Sequence, residues 1–152
     1  MKNKRPSMNI NSIKRIILGC TFAIVVLICL SRIADAQVLN INKVVFASQY
    51  VNGEAKGVAQ IFSPKDRTIY CVVGLTNPVP NAKFKFVWTQ YDKSQGKQVS
   101  IFEQELSNQS TKTVAGKISS PKDWTIGQYN VEIYVDGRVK KKLTYNILKE
   151  QF

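Results

Sequence analysis

The sequence predicts an all-β fold, an antiparallel β-sandwich of about seven strands. Three observations carry that expectation. From Tyr129 apolar residues recur at every second position through Val131, Ile133 and Val135, while Gln128, Asn130, Glu132 and Tyr134 take the other face. That alternation marks a half-buried antiparallel strand. Asp136-Gly137 follows at once and supplies the positive φ angles of a type I′ turn, which reverses the chain into a second alternating run from Val139 to Leu148. Short runs of the same kind, separated by turn residues, recur after residue 36, and no helical periodicity accompanies them.

The first 36 residues stand apart from this pattern. Lys2, Lys4, Arg5, Lys14 and Arg15 precede an uncharged apolar run from Ile16 to Leu30, followed by Ala34-Asp35-Ala36. Basic n-region, apolar h-region and small-residue cleavage site come in the order of a signal peptide, with cleavage expected before Gln37. The alternative is a retained hydrophobic helix spanning residues 13–33 as an N-terminal anchor, the only part of the chain expected to contact a membrane. In either case residues 37–152 form the exported domain, periplasmic or extracellular. Of the 22 Lys and Arg, 16 lie in this part against nine acids, a net charge of +7. Fourteen of the 16 are lysine, which favours solvated point charges over the forked grip of arginine.

Val38 to Phe46 is expected as a first strand whose apolar phase changes between Leu39-Ile41 and Val44-Phe46, through a kink or a switch between sheets. Ala47 to Arg67, with its Asn52-Gly53 and Ser63-Pro64-Lys65-Asp66 turn signals, reads as a long turn holding at most one short strand. Ile69 to Leu75 is expected as the second strand, closed by the prolines of Asn77-Pro78-Val79-Pro80-Asn81. Lys83 to Tyr91 is the third, with Phe84, Phe86 and Trp88 inward. Gln98 to Leu106 follows, its phase slipping at Ile101-Phe102 as at a β-bulge. Thr111 to Ile118 is a weaker strand resting on Val114 and Ile118. Ser120-Pro121-Lys122-Asp123 then repeats the earlier quartet; turn chemistry entering two strands accounts for it more simply than a duplication.

Cys71, Trp88 and the run Gly127-Gln128-Tyr129-Asn130-Val131 resemble the B-strand cysteine, C-strand tryptophan and tyrosine corner of immunoglobulin-like domains. The ending from Trp124 through Asp136-Gly137 to Tyr145-Asn146-Ile147 is also similar to uncharacterised Ig-like modules of exported bacterial proteins. The resemblance spans about Ile41 to Leu148 and departs at one point. Val131 stands where the second cysteine belongs, so the inter-sheet disulfide is absent and Cys71 is expected as a buried thiol.

Histidine is absent from the whole chain, which removes the commonest general base and the His-dependent nucleophile pairs. Glu103 and Glu105 read as a solvated strand face, because no further acid nearby completes a metal shell or an acid–base set. Asp92, Asp123 and Asp136 fall in turns, and Asn108-Gln109-Ser110 is a formal glycosylation sequon. The chain is therefore expected to be non-enzymatic and to need no cofactor or metal.

The immunoglobulin-like arrangement implies that the third, sixth and seventh strands share a sheet. Its outward residues Lys83, Lys85, Asn130, Tyr134, Arg138, Lys140, Lys142 and Thr144 would then form one basic face. Such a face suits an acidic envelope polymer, an anionic lipid headgroup or an acidic protein partner. Lysines on an edge strand also guard against aggregation, the plainer expectation. Export and the lack of aromatic platforms argue against nucleic acid. The expected role is a binding or accessory module of the bacterial cell envelope; the alternatives are a structural subunit docking onto a larger membrane complex, and an enzyme of unrecognised type.

Overall fold

The computed structural model describes residues 39–149. The export segment expected at residues 1–36, with its hydrophobic helix and cleavage site, lies outside the described residues. Among the described residues nine strands form two sheets: β1 (Ile41–Val51), β2 (Glu54–Val58), β3 (Ile61–Phe62), β4 (Thr68–Leu75), β5 (Lys83–Asp92), β6 (Lys97–Ser107), β7 (Thr113–Ser119), β8 (Gly127–Val135) and β9 (Arg138–Ile147). The four-stranded sheet runs β2-β1-β4-β7 and the five-stranded sheet β3-β9-β8-β5-β6.

The core lies between the sheets, filled by the inward phase of each strand. Ile69, Cys71 and Val73 of β4 face Phe84, Phe86 and Trp88 of β5 and Val131 and Ile133 of β8, all fully buried. Tyr145 of β9 stands at the centre of an aromatic cluster, in ring contact with Phe46, Phe62, Trp88 and Tyr129. Glycine at 116 is a packing requirement, since a Cβ there would lie 2.5 Å from the Phe86 ring.

Three bulges account for the phase changes along the strands. The β1–β4 register jumps between Ile41 and Lys43, so Asn42 is the extra residue and the phase change of the first strand is a kink within one sheet. The β5–β6 register jumps between Trp88 and Thr89, leaving Ile101 without a partner, where the slip was expected. A third jump, between Ile133 and Tyr134, makes Lys140 the extra residue of β9; an exposed run of lysines left this one invisible to periodicity.

The segment read as a long turn contains more structure than the sequence expectation gave it. β1 continues to Val51, turns through Asn52 and Gly53 with φ of 52° and 82°, and returns as β2. This hairpin bends back over its own sheet. Lys43 and Ala47 of β1 pair with Gly74 and Tyr70 of β4, and Gly74 pairs with Thr113 of β7. Yet the Thr113 hydroxyl donates to the Gly53 carbonyl at 3.1 Å, so the tip has returned to the level of Lys43. The bend falls where Ser48 opposes Gly57, whose φ is 63° and which has no room for a Cβ beside the Ser48 hydroxyl. Tyr50 then rests on Tyr70, with ring centroids 6.3 Å apart, and its hydroxyl meets that of Thr113 at 2.9 Å. Cover from this arm explains why Ala47 and Val72, both on the outward phase, are buried.

The two repeated quartets sit side by side at one end of the sandwich. In both, the lysine amide donates to the serine hydroxyl at 3.3 Å, the same side-chain-closed turn. Trp124 joins them: its amide donates to the Pro64 carbonyl at 2.9 Å and its indole nitrogen donates to the Asp66 carbonyl. Its ring meets Tyr129 edge-on at 6.1 Å, and the Tyr129 hydroxyl donates to the Thr125 carbonyl at 2.8 Å, completing a tyrosine corner.

Candidate functional site

The outward face of the five-stranded sheet is the surface on which the sequence places its candidate binding residues. Pleat and register fix what projects there. Phe84, Phe86 and Trp88 point inward, so Lys83, Lys85 and Val87 point out. Lys85 pairs across with Tyr134 on one side and Glu105 on the other, and Val87 with Glu132 and Glu103. Glu132 in turn opposes Lys142, and Asn130 opposes Thr144.

The result is a ladder of opposite charges. Lys85 Nζ lies 2.6 Å from Glu103, and Lys142 Nζ lies 2.8 Å from Glu132. The Tyr134 hydroxyl donates to the second Glu132 oxygen at 2.9 Å. These bonds hold the Glu132 carboxyl below its usual range, through Lys142 first and Tyr134 second, while the hydrogen bond to Glu103 raises Lys85 above its own. A shallow hollow of about 560 Å³ lies beside the ladder, lined by Lys83, Lys85, Glu103, Glu105, Ser107 and Tyr134. Asp136 fixes its rim, because its amide and carboxylate bond the Lys83 carbonyl and amide at 2.9 and 3.0 Å. With Gly137, at φ of 78°, it also forms the β8–β9 turn.

Three of the candidate residues depart from the expected display. The bulge at Lys140 shifts the end of β9 by one residue, so Arg138 opposes the inward-phase Val135 and Val139 takes the outward place beside Tyr134. Lys140 has no cross-strand partner. Both residues are exposed on the stretch of β9 that β3 leaves open, since β3 pairs only with Asn146 and Ile147. Lysines and a bulge on an open edge are a known defence against strand addition. Asn130 is buried, and its side-chain oxygen accepts the Thr144 hydroxyl at 2.6 Å. Lys83, Lys85, Tyr134, Lys142 and Thr144 remain together.

Sequence reasoning read Glu103 and Glu105 as a solvated strand face but did not place them on the same face as Lys83 and Lys85. Glu103 and Glu105 sit on a strand joined to β5 by the short Asp92–Lys97 turn, and a tight hairpin keeps both strands in one sheet. The turn signal could therefore have placed those acids beside Lys83 and Lys85. The sequon asparagine is also unsuited to modification. Asn108 is buried, its amide nitrogen donates to the Val79 and Thr111 carbonyls, and its oxygen accepts from the Thr111 amide and hydroxyl.

Two packed sheets, antiparallel except where the short β3 runs parallel to β9, a tyrosine corner, and Trp88 and Cys71 in one buried core define an immunoglobulin-like β-sandwich. An immunoglobulin-like protein from Pseudomonas aeruginosa has a similar fold, with a TM-score of 0.52 at 10% identity over 76% of this chain and 99% of that one. No protein-family model matches the sequence, and no curated protein matches it.

Proposed function

We propose that the chain is an exported, non-enzymatic accessory module of the bacterial cell envelope that docks a protein partner through the outer face of its five-stranded sheet. The pairing of Lys85 with Glu103 and of Lys142 with Glu132 carries this reading. A uniform polyanion recognises net positive potential, and here the two central lysines already hold counter-charges. What the face offers is a fixed pattern of alternating charge around Tyr134, and patterns of that kind select among protein surfaces. The fold supports a binding role in general. The signal-like N-terminus supports export, and the lack of histidine supports a role without catalysis.

A pull-down from envelope extract tests the proposal. Capture of one protein at stoichiometric yield, resistant to moderate salt, is the expected result. Retention instead on anionic glycan or on anionic vesicles, lost as salt rises, would replace the protein partner with a polyanion bound through the lysine excess.

A further inference from the structure

The bent-back β1–β2 hairpin borders a second, open cleft, on the opposite sheet and unrelated to the charge ladder. Its floor is the outer face of the four-stranded sheet at Val45, Val72 and Gly74, and its wall is the arm, at Gly53, Ala55 and Val58. The volume is about 490 Å³, within the range of small-molecule sites. Gly74 contributes no side chain to the floor, and the Asn42 side-chain oxygen lies over it, 2.6 Å from where a Cβ would stand. Val58 is 57% exposed on the arm above it.

Charge gives the cleft a direction. Lys43 pairs across the sheet with Gly74 on one side, and Thr113, the neighbour of Lys112, pairs with it on the other. Lys43 stands on the strand beside Gly74, Lys112 immediately precedes the strand on its other side, and both line the cleft. Neither joins a salt bridge among the described residues, in contrast to Lys85 and Lys142 on the other sheet. Glu54 is the single acid of the lining. The arm is latched over the floor by Tyr50 and Gly53, both bonded to Thr113, so the cleft is formed without a ligand.

From this geometry we infer that the cleft binds a small single-chain amphipathic anion, with its aliphatic body along Val45, Val72 and Val58 and its acid group between Lys43 and Lys112. Apolar contact supplies most of the affinity, and the two ammonium groups set the orientation. The site is independent of the docking face, and either can fail without the other.

Calorimetric titration of the full chain with decanoate tests it, with decanol as the uncharged probe of equal chain length. Saturable binding of one decanoate per chain is expected, with decanol weaker by about tenfold. The double variant Lys43→Gln/Lys112→Gln should lose about the same factor for decanoate and nothing for decanol. Val58→Asp, an exposed position that leaves the core intact, should weaken both probes. Lys83→Gln/Lys85→Gln, on the other sheet, should leave both unchanged. Equal affinity for the two probes, or decanoate binding that survives the Lys43/Lys112 and Val58 changes, would assign the binding elsewhere and overturn the inference, as would no saturable binding.

Discussion

Tyr129 and Tyr145 stack across the β8–β9 pair with ring centroids 5.3 Å apart and planes 18° apart, yet their hydroxyls differ in kind. That of Tyr129 donates to the Thr125 carbonyl, whereas that of Tyr145 is buried with no hydrogen-bond partner among the described residues. Burial raises the pKa of both phenols, so each stays protonated through the physiological range. Tyr145→Phe removes an unsatisfied polar atom and keeps the ring, so it should be neutral or stabilise by about 1 kcal/mol. Tyr129→Phe removes a satisfied bond and should destabilise by about 1 kcal/mol. Denaturant unfolding of the two variants should show opposite signs, and a large loss in Tyr145→Phe would mean that its hydroxyl is satisfied in solution.

Cys71 should behave as a buried hydrophobe. Desolvation lifts its thiol far above the usual range, so it should resist alkylation in the native protein and react on unfolding. Val131 faces the same core from β8, at the place where immunoglobulin domains carry the second cysteine. Val131→Cys should therefore close a disulfide with Cys71 under oxidising conditions, read by mass and by blocked alkylation. A bridge closing so long a loop should stabilise by about 2–4 kcal/mol. Two free thiols in the oxidised variant would show that the sheets are set differently from those of disulfide-bonded relatives of the fold.

The sandwich was legible because its central strands alternate, and β8 and the Asp136-Gly137 turn lie where the period of two and the turn signal put them, while β9 slips by one residue at Lys140. Ile101 could be recognised as a bulge because apolar residues on both sides report the phase. Lys140 could not, since a run of exposed lysines has no apolar phase to break. The bent hairpin was hidden for a different reason. Tyr50 and Gly53 bond to Thr113, a long-range contact that lays the arm over Ala47 and Val72 and that no local pattern encodes. The charge ladder needed only the adjacency of β5 and β6, which the short turn between them implied.

Acid should loosen the outer face before the core. Hydrogen bonds from Lys142 and Tyr134 depress the Glu132 pKa, and those from Ser94 depress that of Asp92. A carboxylate with a depressed folded-state pKa stabilises above its unfolded pKa and loses that contribution as pH falls through the folded value. Stability should therefore decline as pH falls from the ordinary carboxylate range down through the depressed folded-state values, and Glu132→Gln should lower the neutral-pH plateau slightly and flatten the acid limb by the same amount. The effect should be small, because the pair is largely solvated. An acid limb with the same slope in wild type and Glu132→Gln would mean that other carboxylates govern it.

Processing is expected before Gln37, because Ala34 and Ala36 offer small residues beyond the apolar run. Intact-mass analysis of the envelope fraction should find a dominant species beginning at Gln37. A dominant species that keeps residues 1–36 would establish the anchor in its place.

Charge exchange within the ladder separates pattern from net charge. Lys85→Glu combined with Glu103→Lys keeps opposite charges at the two paired positions, the total charge and the apolar phase of both strands, while reversing the order of charge across the sheet. Because an exposed ion pair contributes at most about 1 kcal/mol, the double variant should unfold within roughly that margin of wild type. A polyanion responds to net potential and should be retained equally by both proteins, with the same salt dependence. A protein partner docked on this face meets like charges where it had opposite ones, which costs affinity and slows encounter. Capture of the partner should therefore fall by about tenfold or more in the exchanged variant and recover when the partner's facing charges are reversed in turn. If capture instead survives the exchange at wild-type strength, the docking surface lies elsewhere on the sandwich, and the Lys85–Glu103 pair serves only the solubility of the sheet face.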